Sequence, residues 1–416
     1  MEILVLGAGV IGLSTAYYLN AAAHQVTVVE RNTEVGLETS HANGGQLSYS
    51  YVAPLAGPGV LTKIPNWLTR DDAPMRFRPS FNAEQWRWCL QFLRACNRRE
   101  SDRSTRQLLA LSFLSRSLMH RLVREETSLD FDYVRSGKLV LHRDANTYRA
   151  AVDQLEFQRT LGCEQQALDR HACIALEPAL APIGEEIAGG IHTSSEDSAD
   201  CFRLCKGLET LLRARGVDFQ LGTHVDGLRR STRGRVQAYA RGRPIAAEQI
   251  VVALGCASTP LLKSLDIRLP VYPLKGYSLT VPTNATSIAP TVSVTDFARK
   301  VVYARLGNSL RVAGMADLSG YSLDLDRNRL ATLQRESVSL FPRAGDYAAA
   351  VQWAGLRPAT PRGTPILGRT PFGNLWLNVG HGALGFTLAT GSAQLLSDWI
   401  SGRPGAIDRE MFSLPA

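Results

Sequence analysis

The 416-residue sequence predicts an α/β fold: a Rossmann-like nucleotide-binding domain assembled from discontinuous segments, plus a mixed-sheet α+β domain carried between them. Three observations point there. An apolar strand runs into GAGVIG, a helix and a second apolar strand within the first thirty residues, which makes a βαβ unit. Two further apolar runs that end on small residues, IVVALG (250–255) and LWLNVG (375–380), lie far downstream. Between them, residues 270–315 alternate as antiparallel strands do.

Taken in order, ILVLG (3–7) reads as a fully buried parallel strand, residues 10–20 as a helix and VTVVE (26–30) as the next buried strand. Residues 51–80, with PLAGPGV and APMRFRPS, read as an irregular excursion. Helical periodicity covers 82–126 and 146–160. From 198, SADCFRLCKGLETLLRARG reads as a helix leading into the strand VDFQLGTHV, and charged turns precede the strand QIVVALG. VYPLKGYSLTV, KVVYARL and SLRVAGM supply the antiparallel strands, and HGALGFTLATGSAQLLSDWISG a glycine turn with a closing helix. The nucleotide-binding domain is expected to take residues 1–80, 190–262 and 345–416, and a substrate or cap domain residues 81–189 and 263–344.

Composition narrows the class. Hydrophobic residues make up 45% and charged residues 20%, as in an ordinary globular protein. No apolar run reaches the roughly 18–20 residues of a membrane span. Glu2 stands where a secretory leader would be cationic, so the cytoplasm is the expected location. Seven scattered cysteines without a CxxC pair support neither a disulfide framework nor a zinc site, and no metal is expected. The formal charge of +8 is almost all arginine, with only six lysines. Arg87, Arg94, Arg98, Arg99, Arg103, Arg106, Arg116, Arg121 and Arg124 crowd one helical region. Two readings stand: a solvated helix face, or contact with an acidic partner or an anionic membrane surface, peripherally on the inner face of the cell membrane. That region lacks the aromatic interleaving of a single-strand binder, so no nucleic-acid partner is expected.

The glycine turn carries the strongest chemical signal. In Gly7-Ala8-Gly9-Val10-Ile11-Gly12, Gly7 permits the tight turn, Gly9 admits a pyrophosphate and Gly12 lets helix and strand pack closely. The helix N-terminus faces the negative charge. Glu30, 23 residues after Gly7, ends the second strand where an acid binds ribose hydroxyls, and it would repel a 2′-phosphate. The early position of the motif favours FAD. IVVALG, with Ala253 and Gly255, suits close contact with a dinucleotide. Gly380–Gly385 (GHGALG) offers a second turn whose amides would stabilise charge at the pyrimidine end of a reduced flavin.

With GAGVIGLSTAYYL, SHANGGQLS (40–48), VYPLKGYSLTV, WAGLRPATPRGTPILG (353–368) and GHGALGFTLATGSAQLLSDWISGR, the sequence resembles the D-amino acid dehydrogenase family almost end to end. Glycine oxidase, sarcosine oxidase and D-amino acid oxidase form the wider group. The resemblance implies an FAD enzyme that oxidises the Cα–N bond of a small amino acid. It assigns Arg357, in GLRP, to the substrate carboxylate, and the chemistry concurs, because a planar guanidinium grips a carboxylate through two parallel bonds. It brings Ser40, His41, Asn43, Gly44, Gln46 and Leu47 to the flavin. Phe or Tyr is more usual where His41 stands, so a packing variant is the alternative reading there. Lys275 and Tyr277 are expected on the strand face toward the flavin, Tyr277 either supporting the carboxylate or serving as a structural tyrosine. Cofactor contacts are further expected at Arg31, Val225, Gly355, Gly382, Ala383, Leu384 and Thr387.

Two departures from the resemblance matter. The turn that often carries a second arginine reads HGALG here. No cysteine follows Cys256, so the flavin is expected to be non-covalent. The expected reaction is hydride transfer from Cα of a neutral amine to flavin N5, giving a 2-oxo acid and ammonia, with electrons passed to a quinone or an electron-transfer protein. The alternatives are a dehydrogenase of D-proline or cis-4-hydroxy-D-proline, an oxidase that uses O₂, and a flavin-bearing binding subunit.

Overall fold

The computed structural model describes residues 1–52, 54–70, 73–232 and 234–414. Strand β1 (Glu2–Leu6) buries all but its first residue, and Gly7 ends it at φ +104. Helix α1 (Val10–Ala21) follows, and β2 (Gln25–Val29) returns parallel to β1. Gln249–Val252 pairs in parallel on the other side of β1, and Leu375–Val379 pairs in parallel beyond it. Asp218–Gln220 closes one edge of this six-stranded sheet, and the antiparallel Ile366–Arg369 closes the other. Its central strands, β1, Gln249–Val252 and Leu375–Val379, are almost wholly apolar because both their faces are covered. α1 and the helices Cys201–Ala214 and Gly385–Ile400 pack on one face, and a three-stranded sheet carrying Leu228, Val236 and Ala238 packs on the other.

The expected helical region is two helices, α2 (Ala83–Ala95) and α3 (Arg98–Glu125). The second sheet has nine strands and is mixed. At one end β3 (Tyr272–Pro282) lies between β4 (Ser309–Leu318) and the edge strand β5 (Val351–Ala359), antiparallel to both. Val301–Leu306, Ser293–Asp296, Lys138–His142, Gly189–Thr193 and Gln166–Leu168 continue the sheet. Its core joins Tyr277, Leu279, Val312 and Tyr303 to Leu330 and Leu333 of the helix Arg327–Leu340. The closing helix is α4 (Gly385–Ile400).

The strands cross the expected segment boundaries. β5 falls within 345–416 and Met75–Phe77 within 1–80, yet both pair in the large sheet. α3 falls within 81–189 yet packs on α4, where Gly391 N–H donates to Ser115 Oγ at 2.9 Å. The reason is geometric: composition marks where a chain turns, whereas edge pairing over long sequence separation decides which sheet a strand joins. The stretch 51–80 is also more ordered than its Pro and Gly content suggests, with a helical turn at Leu61–Lys63, a helix at Ile64–Thr69 and the strand Met75–Phe77. Residues 53, 71 and 72 of that stretch lie outside the described residues.

All seven cysteines are free, and among the described residues no group of His, Cys, Asp and Glu could hold a metal. No helix among them is long and apolar enough to cross a membrane.

Candidate active site

The three glycines of the first turn do different things. A Cβ on Gly7 would lie 2.7 Å from the Ala253 carbonyl oxygen, and one on Gly12 only 1.8 Å from that of Gly7, so packing alone requires both. A Cβ on Gly9 would meet only Ser40 Oγ, at 3.4 Å, so the protein leaves the space before Gly9 open. Around that opening Val10 N–H donates to Ser40 Oγ (3.0 Å), and Ile11 is partly exposed. The buried Glu30 carboxylate accepts from Ala8 N–H and Asn32 N–H, both at 2.9 Å, and this fixes its position at the ends of β1 and β2. Thr223 N–H donates to the Glu30 carbonyl at 2.8 Å, which brings Val225 to the same end of the sheet. Arg31 points outward and pairs with Glu38.

Helix caps mark the same place. α2, α3 and the helices at 145–160, 170–176, 201–214 and 327–340 each start on an Asn or Asp whose side chain accepts a backbone N–H. α1 starts on Gly9 without such a cap. So does α4, preceded by the uncapped turn Gly382–Leu384 with Ala383 at its centre. Apart from Val10 N–H, which Ser40 takes, these two N-termini have no side-chain cap from their first residue, and their positive dipole ends suit an anion. Nothing lies within 4 Å of a Cβ on Gly382 (φ +56), whereas one on Gly380 (φ +80) would strike Thr360. His381, which the sequence reading passed over, is buried between them. It lies 3.2 Å from Ser392 Oγ, and burial pushes its pKa down to about 3, so it is neutral. The open space and the uncapped termini fit the phosphates and ring of a dinucleotide.

The segment 40–48 spans the two sheets. Asn43 Oδ1 accepts from Gly45 N–H (3.0 Å), and a Cβ on Gly44 would lie 2.8 Å from Val302. Gln46 donates to Ser293 Oγ (2.6 Å) and accepts from Thr295 Oγ1 (3.3 Å), so its amide is engaged by the large sheet. Leu47 is buried and pairs with Asp197, and Ser48 N–H donates to Thr387 Oγ1 of α4 at 3.0 Å. His41 packs edge-on against Phe202, with ring centroids 4.8 Å apart, and its Nδ1 is buried without a partner. Burial, reinforced by the nearby Arg311, lowers its pKa.

Arg357 sits on β5 where these pieces converge. The Leu356 carbonyl accepts from Thr39 Oγ1 at 2.7 Å and lies 3.6 Å from Cys256 Sγ, next to Gly255. Ala359 bridges to His381. Arg357 therefore stands between the first glycine turn's surroundings and the second turn. Its guanidinium crosses Gly276 of β3, where a Cβ would be 2.4 Å from Nη2. Nη1 donates to the Met315 carbonyl at 2.9 Å. That carbonyl is presented by a β-bulge, since Met315 is left-handed at φ +58 and the β3–β4 register slips there. Burial lowers the Arg357 pKa to about 10, partly offset by the field of Asp317, and the group stays cationic at neutral pH. Among the described residues no carboxylate forms an ion pair with it. Gly355 is required separately, because a Cβ there would strike the Trp353 ring.

Lys275 and Tyr277 do not join this arrangement, which corrects the expected flavin-facing side of the strand and leaves Tyr277 its structural reading. Successive residues of a strand face opposite ways. Ser278 donates to the Ala42 carbonyl at 2.7 Å, so Gly276, Ser278 and Arg357 face the 40–48 segment. Tyr277 and Lys275 face the core of the large sheet. Tyr277 O–H donates to Asp317 at 2.9 Å, and Lys275 Nζ donates to the Asp324 carbonyl. Asp317 also pairs with Arg76 and with Arg329, so Tyr277 belongs to a buried charge network.

The sequence profile of the family described as FAD dependent oxidoreductase (DAO) matches residues 2–399, and the chain belongs to that family. It is 52% identical over 428 residues to D-amino acid dehydrogenase 2 of Ralstonia nicotianae, with all of both chains covered. It is 46% identical to D-amino acid dehydrogenase 2 of Pseudomonas aeruginosa, covering 98% of this chain and 96% of the other. Among solved structures, glycine oxidase from Geobacillus kaustophilus superposes with a TM-score of 0.76 at 21% identity, covering 99% of this chain and 98% of that one. L-proline dehydrogenase from P. horikoshii superposes with a TM-score of 0.77 at 16% identity, covering 99% and 96%. At these identities the two structures speak for the fold.

Proposed function

We propose that this chain oxidatively deaminates D-amino acids to 2-oxo acids and ammonia. One observation carries the reading: Arg357 is a partly buried cation that no carboxylate among the described residues pairs with, held by the Met315 carbonyl and lying flat over Gly276 between the glycine turns. Such a group is a receptor for a small carboxylate. The names of the two D-amino acid dehydrogenases it resembles supply the D configuration.

In this reading Gly7–Gly12, Glu30 and Val225 hold the adenosine and pyrophosphate of FAD. Ser40–Leu47, the turn Gly380–Gly385 and Thr387 hold its ring, without a covalent link. FAD, when bound, supplies the acceptor for the hydride from Cα. Arg357 clamps the carboxylate and so fixes the direction of Cα, a positioning effect worth several kcal/mol. The substrate reacts as the neutral amine. Loss of two electrons and two protons from the Cα–N unit leaves an imine, which water converts to the 2-oxo acid and ammonia. The electrons pass on to a quinone or an electron-transfer protein. The chain works in the cytoplasm, in contact with the inner face of the membrane through its arginine-rich helices.

Anaerobic mixing of the FAD-loaded protein with D- and L-amino acids, glycine, D-proline and cis-4-hydroxy-D-proline tests the reading. Bleaching of the flavin absorbance by D-amino acids, with 2-oxo acid formed in equal amount, is expected. Bleaching by the L-series alone, or by the prolines alone, overturns it.

A further inference from the structure

Helix α2 is apolar on two opposite faces. One face, with Trp88, Phe92 and Ala95, is buried against Tyr272, Leu274 and Ala359, and Trp88 Nε1 donates to the Ala359 carbonyl at 2.8 Å. The other face carries Trp86, Leu90 and Leu93, spaced i, i+4, i+7, and each is at least 43% exposed. A surface helix normally has one apolar stripe and a polar back. Phe81, just before the helix, is fully exposed, and Phe77 packs edge-on against Trp86 at 5.7 Å. The segment that holds Val60 and Trp67 against the buried face of α2 exposes Leu61 and Leu68 in turn.

Charge surrounds this patch. Arg87 and Arg94 flank the outer stripe of α2, and Arg98 and Arg99 follow at the start of α3, all four exposed. Nearby acids are mostly engaged: Glu84 pairs with Lys263, Glu100 with Arg362, and Asp102 lies 3.8 Å from Arg98. Among the described residues no carboxylate pairs with Arg87, Arg94 or Arg99. The rim is therefore cationic.

We propose that this face docks the protein on an acidic phospholipid bilayer, with Trp86, Leu90, Leu93 and Phe81 entering the headgroup boundary and Arg87 and Arg94 meeting lipid phosphates. Trp, Phe and Leu beside arginine suit that boundary. A second copy fits less well, because a two-fold interface centred on α2 would place Arg87 and Arg94 of one copy against the same residues of the other. The buried face of the same helix abuts Leu274, the register partner of Arg357. Docking thus brings the candidate active site close to a lipid-soluble electron acceptor. This deepens the peripheral contact proposed above and does not depend on the substrate.

The test is flotation of the FAD-loaded protein with vesicles of phosphatidylcholine and phosphatidylglycerol, compared with phosphatidylcholine alone. Binding to the acidic vesicles is expected to fall several-fold between low and high salt. It should drop at least tenfold in Leu90→Asp/Leu93→Asp and in Arg87→Glu/Arg94→Glu. Flavin content and turnover with a soluble dye should stay unchanged in both variants. Equal binding to both vesicle types, no binding to either, or retention by both variants overturns the proposal. So does a dimer in gel filtration that Leu90→Asp/Leu93→Asp dissociates, since it identifies a second copy as the occupant. Failure here leaves flavin bleaching by D-amino acids standing, and the converse holds as well.

Discussion

Gly276 shows how one hydrogen atom in place of a side chain shapes the candidate site. It lies in the interior of a strand, where glycine costs stability and marks a close approach. What approaches is the Arg357 guanidinium, 2.4 Å from where a Cβ would sit. Replacing Gly276 by Ala should therefore shift the guanidinium and leave its charge in place. A displacement of about 1 Å costs roughly a hundredfold in rate when orientation is the main contribution. Steady-state kinetics of Gly276→Ala should show kcat/KM for D-amino acids down by about ten- to a hundredfold, with FAD content normal. Unchanged kinetics would mean that the guanidinium does not need that berth. A glycine inside PLKGY is a signal the sequence already carried. The Met315 bulge had none, because it arises only when β3 and β4 pair across more than thirty residues.

At the scale of elements, the local pieces were legible and the long-range ones were not. β1, the glycine turn, α1 and β2 are contiguous, and each is dictated by its own residues, so the turn's role could be read directly. The face of β3 could not. In VYPLKGYSLTV both faces are nearly apolar, since both are buried, and a period of two leaves them indistinguishable. Only the hydrogen bond from Ser278 to Ala42 and the stacking of Arg357 over Gly276 decide it, and both come from distant segments. The uncapped starts of α1 and α4 lead to a prediction at this scale. Gly9→Val points into the open space before α1, where its Cβ would meet only Ser40 Oγ. It should yield a folded protein that binds no FAD, with a melting temperature equal to that of the wild-type apoprotein. Gly12→Ala, which collides with the Gly7 carbonyl, should destabilise the apoprotein itself. A yellow Gly9→Val protein would place the pyrophosphate elsewhere.

In the whole molecule, two sheets meet along the 40–48 segment and β5, and each contributes what the other lacks. The six-stranded sheet offers uncapped helix termini and an acid for a dinucleotide, and the nine-stranded sheet offers a cation with no ion-pair partner among the described residues. The account rests on that cation. Two charge-assisted bonds at about 1.5–3 kcal/mol each correspond to roughly two to four powers of ten in kcat/KM. The most direct measurement is kcat/KM for a D-amino acid in Arg357→Ala, with FAD content determined on the same sample. The account predicts a loss of that size with full flavin, and only partial recovery in Arg357→Lys, whose point charge lacks the planar fork. Near-normal turnover by fully flavinylated Arg357→Ala would contradict it.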